Sequence, residues 1–446
     1  IGKIGHIVGH VGAVERFGMG DDPVLRIPGM RVGRAGVERG MDGRLRGIGG
    51  TVRREVDARG RIVRIVQRTE PQPGSDVALT IDLELQTFLV DRLARERRAA
   101  VVALDVTDGE VVAMASSPGY DPALNVPRPQ ADPEPPRRRG RGRSLRTGLS
   151  AAKRAQKGDA LFNRATMGLY PPGSTFKPFM ALAGLELGKR KPGFIISDPG
   201  YFVLSGGGGH VYRDWKAGGH GIVDLHKAIV QSCDTYFYGL AQEVGIDAIH
   251  QFMGRFGLGQ KTGIDIDGQV AGLLPSQDWK MRRFGQKWFV GDTISVGIGQ
   301  GYTLTTPLQL AFATAILANE GRVFRPHLVK QIQHSQTNAL TVIEPEPIAE
   351  VPLKKNFIKL VRDAMVDVTR PGGTASWAGM GAKYLFAGKT GTAQVIGMKG
   401  QKYDEKNIPE RHRDHALFIS FAPADKPQIA TAVLVENGGH GSSTAA

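Results

Sequence analysis

Two strand-turn-strand patterns lie far apart in the chain, and together they restrict its fold more than any other feature. Residues 99–116 (AAVVALDVTDGEVVAMAS) and 415–437 (HALFISFAPADKPQIATAVLVEN) each contain two apolar runs joined by a turn. Between them, residues 178–187, 225–244 and 307–319 are Ala- and Leu-rich and helical in pattern. Hairpins from both ends of one module, with helices between them, indicate an α+β fold in which both hairpins join one antiparallel sheet.

The residues before the first pattern indicate a second, smaller module. Residues 51–68 alternate apolar and charged side chains around a turn, as a half-exposed hairpin does, and the sequence EPQPGSD at 70–76 then interrupts the pattern. We therefore expect a β-rich N-terminal module at 1–78 and a larger module at 79–446. At the start of the larger module, Asp82 is predicted to cap a helix that extends to about Arg98.

The positive charge of the chain is concentrated in one segment. The net charge is +15, and residues 137–157 carry nine Lys or Arg residues and no acid, directly after the Pro-rich residues 126–136. This composition favours a solvated, mobile insertion at 126–157 over contact with lipid or another anion. Because no zinc-finger spacing, helix-turn-helix signature or aromatic RNA-binding strand accompanies the charge, we expect no nucleic-acid partner.

The chain contains no sequence that suggests a membrane span, and it has a single cysteine. No window of 18 or more apolar residues and no signal peptide is present, and the chain starts at Ile1. We expect a fragment whose membrane anchor lies upstream. Cys233 is the only cysteine, which excludes an internal disulfide. A single cysteine does not indicate whether the protein is in an oxidising or a reducing compartment.

The sequence YPPGSTFKPFM at 170–180 places Ser174 and Lys177 three positions apart after a Pro-Pro-Gly turn. In a helix that begins near Ser174, the Lys177 amine lies one turn on and can reach the serine hydroxyl. The free amides at the start of the helix favour negative charge beside Ser174. This spacing suits a serine nucleophile that is activated by a neighbouring neutral amine.

Two further motifs strengthen this interpretation. The sequence QSCDTYFYGL (231–240) places Ser232 and Asp234 at the start of an apolar helix, and AGKTGTAQV (387–395) is typical of a strand. In that strand Lys389, with hydroxyls at 390 and 392, can bind a carboxylate, while a glycine at 391 lets a substrate backbone approach. Taken singly, Ser232 is more often a helix cap, and the Lys-Thr run is more often part of a strand edge. Together with Ser174 and Lys177, and in this order along the chain, they match the motifs of the serine acyltransferases that recognise penicillin.

In these motifs and in further segments the chain resembles a known family. The segments LFNRATMGLYPPGSTFKP, SCDTYFY, GIGQGYTLTTPLQLA and GKTGTAQV are similar to the transpeptidase domain of class B penicillin-binding proteins, elongation type. The segment VGRAGVERGMDGRLRG resembles the family's non-catalytic N-terminal (pedestal or dimerisation) module. Asp234 stands where many relatives in the wider superfamily have Asn, and residues 126–157 have no counterpart in the pattern.

The resemblance implies a D,D-transpeptidase that cross-links peptidoglycan stem peptides during cell elongation and is inhibited by β-lactams. It implies Ser174 as the nucleophile, Lys177 as the general base and Ser232 as a proton relay, with Asp234 in the second motif. Lys389, Thr390, Gly391 and Thr392 would hold the donor peptide, and the amides of Ser174 and Thr392 would form the oxyanion hole.

The resemblance also implies a location and a partner. The enzyme would be anchored on the periplasmic face of the cytoplasmic membrane. A polytopic glycosyltransferase of the elongation machinery would contact its N-terminal module.

A second group of residues surrounds Cys233. A thiolate, an imidazole and two carboxylates can form a tetrahedral zinc site, and Asp198, Asp214, His220 and Cys233 provide this set within a Gly-rich segment. Without the resemblance, the sequence favours Cys233 as a small buried side chain over Cys233 as a metal ligand. Zinc near the active site in some members of the resembled subtype raises the expectation of a structural zinc, with His210 and His226 as rival ligands.

Two other functions use the same features. A β-lactamase or β-lactam sensor shares the three motifs, but a β-lactamase must deacylate with water and normally lacks so long an N-terminal module. A catalytically idle scaffold would use the fold only to bind partners, and the intact Ser174, Lys177 and Lys389 argue against it.

Overall fold

The computed structural model describes residues 2–14, 22–125, 159–204, 209–395 and 408–446. The predicted basic insertion at 126–157 lies outside these ranges. The fold is α+β, as predicted, with an N-terminal module followed by a larger module built around one antiparallel sheet.

The N-terminal module is built from short elements. Its helices are α1 (Gly5–Val8), α2 (Gly36–Gly40) and α3 (Asp42–Leu45), and its strands are β1 (His10–Ala13), β2 (Arg31–Ala35), β3 (Thr51–Val56), β4 (Ile62–Thr69) and β5 (Asp76–Leu79). Strands β1 and β2 pair antiparallel, and β5 pairs with a strand of the larger module, β13 (Val329–Gln333). The module boundary at 78 stays a prediction.

The hairpin of β3 and β4 is exposed on both faces. The two strands pair antiparallel as predicted, but every residue in both strands is exposed. The expectation of a half-exposed hairpin was therefore wrong, because no described element covers either face.

The larger module is organised by a five-stranded sheet. Its strands are β6 (Ala99–Asp105), β7 (Val111–Ser117), β16 (Ala387–Ala393), β17 (His415–Ala422) and β18 (Ile429–Val435), in the order β16-β17-β18-β6-β7. Both predicted terminal hairpins are present, and they join where β18 pairs antiparallel with β6. Strand β16 stands at the edge of this sheet, where it can border a cleft.

Short strands complete the larger module away from the main sheet. They are β8 (Ile196–Asp198), β9 (Tyr201–Val203), β10 (Val211–Arg213), β11 (Gly221–Val223), β12 (Arg322–Phe324), β13, β14 (Leu340–Val342) and β15 (Pro347–Glu350). Strand β8 pairs with β11, and β9 pairs with β10.

Helices of the larger module pack against strands of the main sheet. The helices of this module are α4 (Leu83–Leu93), α5 (Arg164–Met167), α6 (Lys177–Glu186), α7 (Leu225–Val230), α8 (Asp234–Val244), α9 (Ile246–Gly254), α10 (Gln277–Phe284), α11 (Val290–Gly297), α12 (Pro307–Ala318), α13 (Lys355–Val368), α14 (Ser376–Gly379) and α15 (Gly441–Thr444). Helix α12 is buried along almost its whole length and packs on β18 and β6, as its uniformly apolar sequence requires.

Two helix predictions needed correction. Asp82 caps α4 as predicted by accepting a hydrogen bond from Leu85 N–H, but the helix ends at Leu93 and not near Arg98. The helical pattern at 225–244 is two helices, α7 and α8, because Ser232 between them has a φ of 57°. A non-glycine residue in this left-handed region cannot continue an α-helix.

None of the helices in the described ranges is long and apolar enough to cross a bilayer.

Candidate active site

The predicted nucleophile lies in a tight turn that leads into α6. A 3₁₀ turn covers Gly173–Phe176, and α6 begins at Lys177. Gly173 has a φ of 54°, and a Cβ atom on it would lie 2.5 Å from the Thr392 carbonyl oxygen. Only glycine therefore allows the turn to lie against β16. Ser174 is half-buried, and within the described ranges its hydroxyl has no hydrogen-bond partner.

The Lys177 amine points to the second motif. Its Nζ atom donates to the Ser232 carbonyl at 2.7 Å, to Ser232 Oγ at 3.1 Å and to Asp234 Oδ1 at 2.7 Å. Lys177 is fully buried, and a buried ammonium group requires such an anionic partner. The sequence predicted an amine within reach of Ser174; among the described residues no hydrogen bond joins the two.

Ser232 connects two lysines from different motifs. The strained φ at Ser232 turns its hydroxyl toward Lys177, and Lys389 Nζ donates to the same Oγ atom at 2.9 Å. Strained backbone of this kind is concentrated at functional sites. Three motifs that are distant in sequence thus meet at one hydroxyl.

Lys389 is fully buried on strand β16. Burial, and then the charge of Lys177, lowers the pKa of Lys389 well below its usual value. Its Nζ atom also donates to the Thr390 carbonyl at 2.9 Å. The structure therefore holds Lys389 against Ser232, as a group able to exchange a proton with it.

The remaining residues of the third motif are engaged within the protein. The hydroxyls of Thr390 and Thr374 lie 2.7 Å apart, and Thr392 Oγ1 accepts a hydrogen bond from Gly441 N–H at 3.4 Å. A Cβ atom on Gly391 would lie 2.7 Å from Thr175 Cγ2, so this glycine makes room for the Ser174 turn. Contact of these residues with a donor peptide stays a prediction.

Asp234 lies between the lysine network and a second buried cluster. Burial raises the pKa of Asp234, while the charge of Lys177 opposes the shift. Its Oδ2 atom accepts from the backbone N–H of Trp215 at 3.2 Å, and the Trp215 indole N–H donates to the Ser232 carbonyl at 3.1 Å. Trp215 is 60% exposed, so its ring covers the second motif at the rim of the site.

The predicted metal ligands form one buried cluster. Asp198, Asp214, His220 and Cys233 are all buried, and each offers a ligand atom within 4.8 Å of the others. His220 Nδ1 lies 2.8 Å from Asp198 Oδ2 and 3.7 Å from Asp214 Oδ1. Two carboxylates, an imidazole and a thiol at such distances suit a tetrahedral Zn²⁺.

The negative charge of the carboxylates in this cluster favours a bound cation. Burial alone would raise the pKa of Asp198, but hydrogen bonds from Gly200 N–H and His220 lower it to about 2, so this carboxylate is ionised. Burial, and then the charge of Asp214, raises the pKa of the Cys233 thiol. A bound metal ion would neutralise the carboxylates and favour the thiolate.

Both rival histidines lie outside the cluster. The His210 ring contacts Tyr212 edge to face at 4.6 Å, and His226 Nε2 lies 3.0 Å from Asp367 Oδ2.

Sequence reasoning missed residues that connect the motifs. Gln300 Nε2 donates to the Thr392 carbonyl at 2.9 Å, and Gly173 N–H donates to the Gly299 carbonyl at 2.8 Å. The sequence GIGQG at 297–301 signals a tight turn that other backbone can approach, but it does not show which backbone. Apart from the position of Trp215 beside Asp214, nothing in the sequence indicated that it would contact the second motif.

Two buried lysines that share one serine hydroxyl beside a serine turn, one of them on the edge strand of an antiparallel sheet, are typical of the serine acyltransferase class. Comparison with known families gives the same result. A profile described as the penicillin-binding protein transpeptidase domain matches residues 99–446, and one described as the penicillin-binding protein dimerisation domain matches residues 2–79. The chain belongs to the penicillin-binding protein transpeptidase family.

Individual relatives support this membership. The peptidoglycan D,D-transpeptidases MrdA of Acinetobacter baumannii and Escherichia coli are 42% and 39% identical over 99% and 92% of this chain. The chain spans 63% and 62% of the lengths of these two curated relatives.

Solved structures of relatives have the same fold. Penicillin-binding protein 2 of Pseudomonas aeruginosa, in complex with the compound WCK 5153, is 39% identical with a TM-score of 0.79, and the match covers 99% of this chain and 87% of that one. Penicillin-binding protein 2 of Helicobacter pylori, in complex with MreC, is 30% identical with a TM-score of 0.80, covering 99% and 75%.

Proposed function

We propose that this chain is the catalytic part of a peptidoglycan D,D-transpeptidase that cross-links stem peptides through an acyl-enzyme on Ser174, acts during cell elongation and is inhibited by β-lactams. The observation that carries the proposal is the shared hydrogen bonding of Ser232 Oγ by Lys177 and Lys389 beside the Ser174 turn. Such a network can move the proton that a serine nucleophile must lose and the leaving amine must gain.

In the acylation step, Ser174 Oγ attacks the carbonyl carbon of the penultimate D-alanine. The hydroxyl proton passes to Lys177 in its neutral form, and the carbonyl oxygen takes the negative charge within reach of the amides of Ser174 and Thr392. The carbon–nitrogen bond to the terminal D-alanine then breaks. A proton reaches the leaving amine through Ser232, and D-alanine departs.

Proton movement in this step depends on the two lysines. Lys177 forms an ion pair with Asp234 in the resting structure, so it must give up a proton before it can act as the base. Lys389 contacts the same Ser232 hydroxyl, so this hydroxyl connects the two amines and can carry a proton between them.

In the second step, an amine of another stem peptide attacks the acyl carbonyl. Its nitrogen loses a proton to the same base, the carbon–oxygen bond to Ser174 breaks, and Ser174 recovers its proton. A β-lactam would follow only the first half of this sequence, because its ring-opened amine stays attached and blocks the acceptor.

An exchange assay tests this function. The protein is incubated with a peptide that ends in D-Ala-D-Ala and with a fluorescent D-amino acid as the acceptor. We expect exchange of the terminal residue by the parent and none by Ser174→Ala. Repeated hydrolysis of penicillin without exchange would instead show a β-lactamase, and absence of both reactions would favour the idle scaffold.

We also propose that Asp198, Asp214, His220 and Cys233 bind a structural zinc ion. The four-residue donor set and the two buried carboxylates support it. Cys233 is the N-cap residue of α8, so a metal there would hold the turn that presents Ser232. Elemental analysis of protein purified without chelator is the test: about one equivalent of zinc is expected, and less than a tenth would rule the site out.

The location and partner implied by the family are further proposals. We propose that the catalytic module acts at the periplasmic face of the cytoplasmic membrane, where its substrate lies, and that a polytopic glycosyltransferase binds the N-terminal module. One similar structure, 31% identical, belongs to a peptidoglycan synthase complex that coordinates polymerisation and crosslinking. Site-specific photocrosslinking from exposed Val63 in cells should capture that polymerase; crosslinking to no membrane protein would contradict the assignment.

A further inference from the structure

The end of helix α11 and the turn that follows it contact elements of all three motifs. Helix α11 ends at Gly297, and Gly299 follows with a φ of 72°, while Gln300 N–H donates to the Ser295 carbonyl at 3.0 Å. A Cβ atom on Gly297 would lie 2.2 Å from Ala241 Cβ on α8. The end of α11 is therefore held tightly against the helix of the second motif.

Two hydrogen bonds extend from this turn to the other two motifs. The Gly299 carbonyl accepts from Gly173 N–H at 2.8 Å, directly before Ser174, and Gln300 Nε2 donates to the Thr392 carbonyl at 2.9 Å. Gly299 and Gln300 thus hold the serine turn and strand β16 at a fixed separation. Gly299 lies tightly against the serine turn, because a Cβ atom on Gly299 would lie 2.2 Å from the Gly173 carbonyl oxygen.

The peptide group held by Gln300 belongs to a residue of the proposed oxyanion hole. In a β-strand the N–H and C=O of one residue point to the same side. The Thr392 N–H therefore faces the same side as the carbonyl that Gln300 binds. A Cβ atom on Gly173 would lie 3.2 Å from Thr392 N, so this side is the one that the Ser174 turn occupies.

We propose that Gln300 is a positioning residue that sets the distance between the amides of Ser174 and Thr392, and so the geometry of the oxyanion hole. This inference rests on the proposed function. Among the described residues, Gln300 has no hydrogen bond to Ser174, Lys177 or Lys389; it acts through the Thr392 peptide. Because oxyanion donors act only when aimed at the developing charge, a small displacement of Thr392 slows acylation without weakening the initial binding of substrate.

Methionine and glutamate have side chains of about the same length as glutamine, so replacing Gln300 by each tests its hydrogen bond to the Thr392 carbonyl. Gln300→Met fills the same space but cannot donate to the Thr392 carbonyl. Gln300→Glu places an acceptor and a negative charge against that carbonyl, so its effect should be larger. Gln286→Met is the matched control, since Gln286 is an exposed glutamine between α10 and α11.

Rapid-mixing kinetics with a fluorescent penicillin give the dissociation constant of the first complex and the acylation rate constant separately. For Gln300→Met we expect the acylation rate constant to fall about tenfold. This loss is smaller than the loss of about 100-fold to 1,000-fold that is typical when an oxyanion-hole donor is removed. The dissociation constant should stay within twofold of the parent. Gln300→Glu should lose more, and Gln286→Met should match the parent.

The infrared band of the acyl-enzyme carbonyl supplies a readout that a merely structural role would not change. Weaker hydrogen bonding in the oxyanion hole should move this band of Gln300→Met to higher wavenumber. Acylation within twofold of the parent with an unshifted band would overturn the proposal, as would a rate loss explained by a lower folded fraction in thermal melts. If Gln300→Met does not fold, Gln300→Glu decides by the same criteria.

The outcomes also separate this inference from the proposed function. If the parent is not acylated at all, the proposed function fails. If the parent is acylated and both Gln300 variants react as fast, the function stands and this inference fails.

Discussion

The Nζ atom of Lys177 lies 2.7 Å from the Oδ1 atom of Asp234. This buried ion pair joins the first residue of α6 to the first residue of α8, and so it connects the helices of the first and second motifs. The pair therefore has a structural role beside any role in proton transfer.

Removal of the Asp234 carboxylate should destabilise the fold. Asp234→Ala leaves the fully buried Lys177 without its anionic partner, which typically costs about 3–5 kcal/mol. Asp234→Asn keeps an acceptor of the same size and should cost less. Urea unfolding measures both, and a free energy of unfolding for Asp234→Ala within about 1 kcal/mol of the parent would contradict the importance of the pair.

The two lysines should respond differently to replacement by arginine. Lys177→Arg should nearly abolish acylation by penicillin, because a guanidinium group cannot be deprotonated to act as a base and does not fit the fully buried site. Lys389→Arg enlarges an equally buried side chain on β16, but it leaves the proposed base in place and should be milder. Acylation rates of the two variants provide the measurement; a Lys177→Arg variant as fast as the parent would show that another group is the base.

The lowered pKa of Lys389 predicts a pH dependence of stability. Between its lowered folded pKa and its ordinary value of about 10.4, the native state binds fewer protons at Lys389 than the unfolded state. Stability relative to Lys389→Met should therefore rise with pH in this window, by at most about 1.4 kcal/mol per pH unit. Urea unfolding at pH 7 and pH 9 tests the sign, and a constant or falling difference would contradict a lowered pKa.

Loss of Cys233 should affect both the metal and the reaction. Cys233→Ser removes a proposed ligand at the N-cap of α8, so zinc content, melting temperature and acylation rate should all fall although Ser174 and Lys177 are unchanged. His210→Ala is the control, because His210 lies outside the cluster. A Cys233→Ser protein with the zinc content and melting temperature of the parent would return Cys233 to the role of a small core residue.

The sequence predicted the sheet because its strands are long apolar runs with clear turns, and their pairing follows from position at the two ends of one module. It predicted the cluster of Asp198, Asp214, His220 and Cys233 through a resemblance. It did not predict that Lys177 points to Asp234, because a helical spacing fixes which residues share a face but not which partner a flexible amine selects. The role of Gln300 was hidden for a similar reason: its partner, Thr392, is distant in sequence and is contacted through backbone.

Mapping the site of penicillin attachment tests whether Ser174 is the nucleophile. The protein is incubated with a fluorescent penicillin, digested and analysed by mass spectrometry, with Ser174→Ala as the comparison. We expect one labelled peptide, containing Ser174, and an unlabelled but folded Ser174→Ala protein. A label on any other residue, or equal labelling of Ser174→Ala, would contradict it.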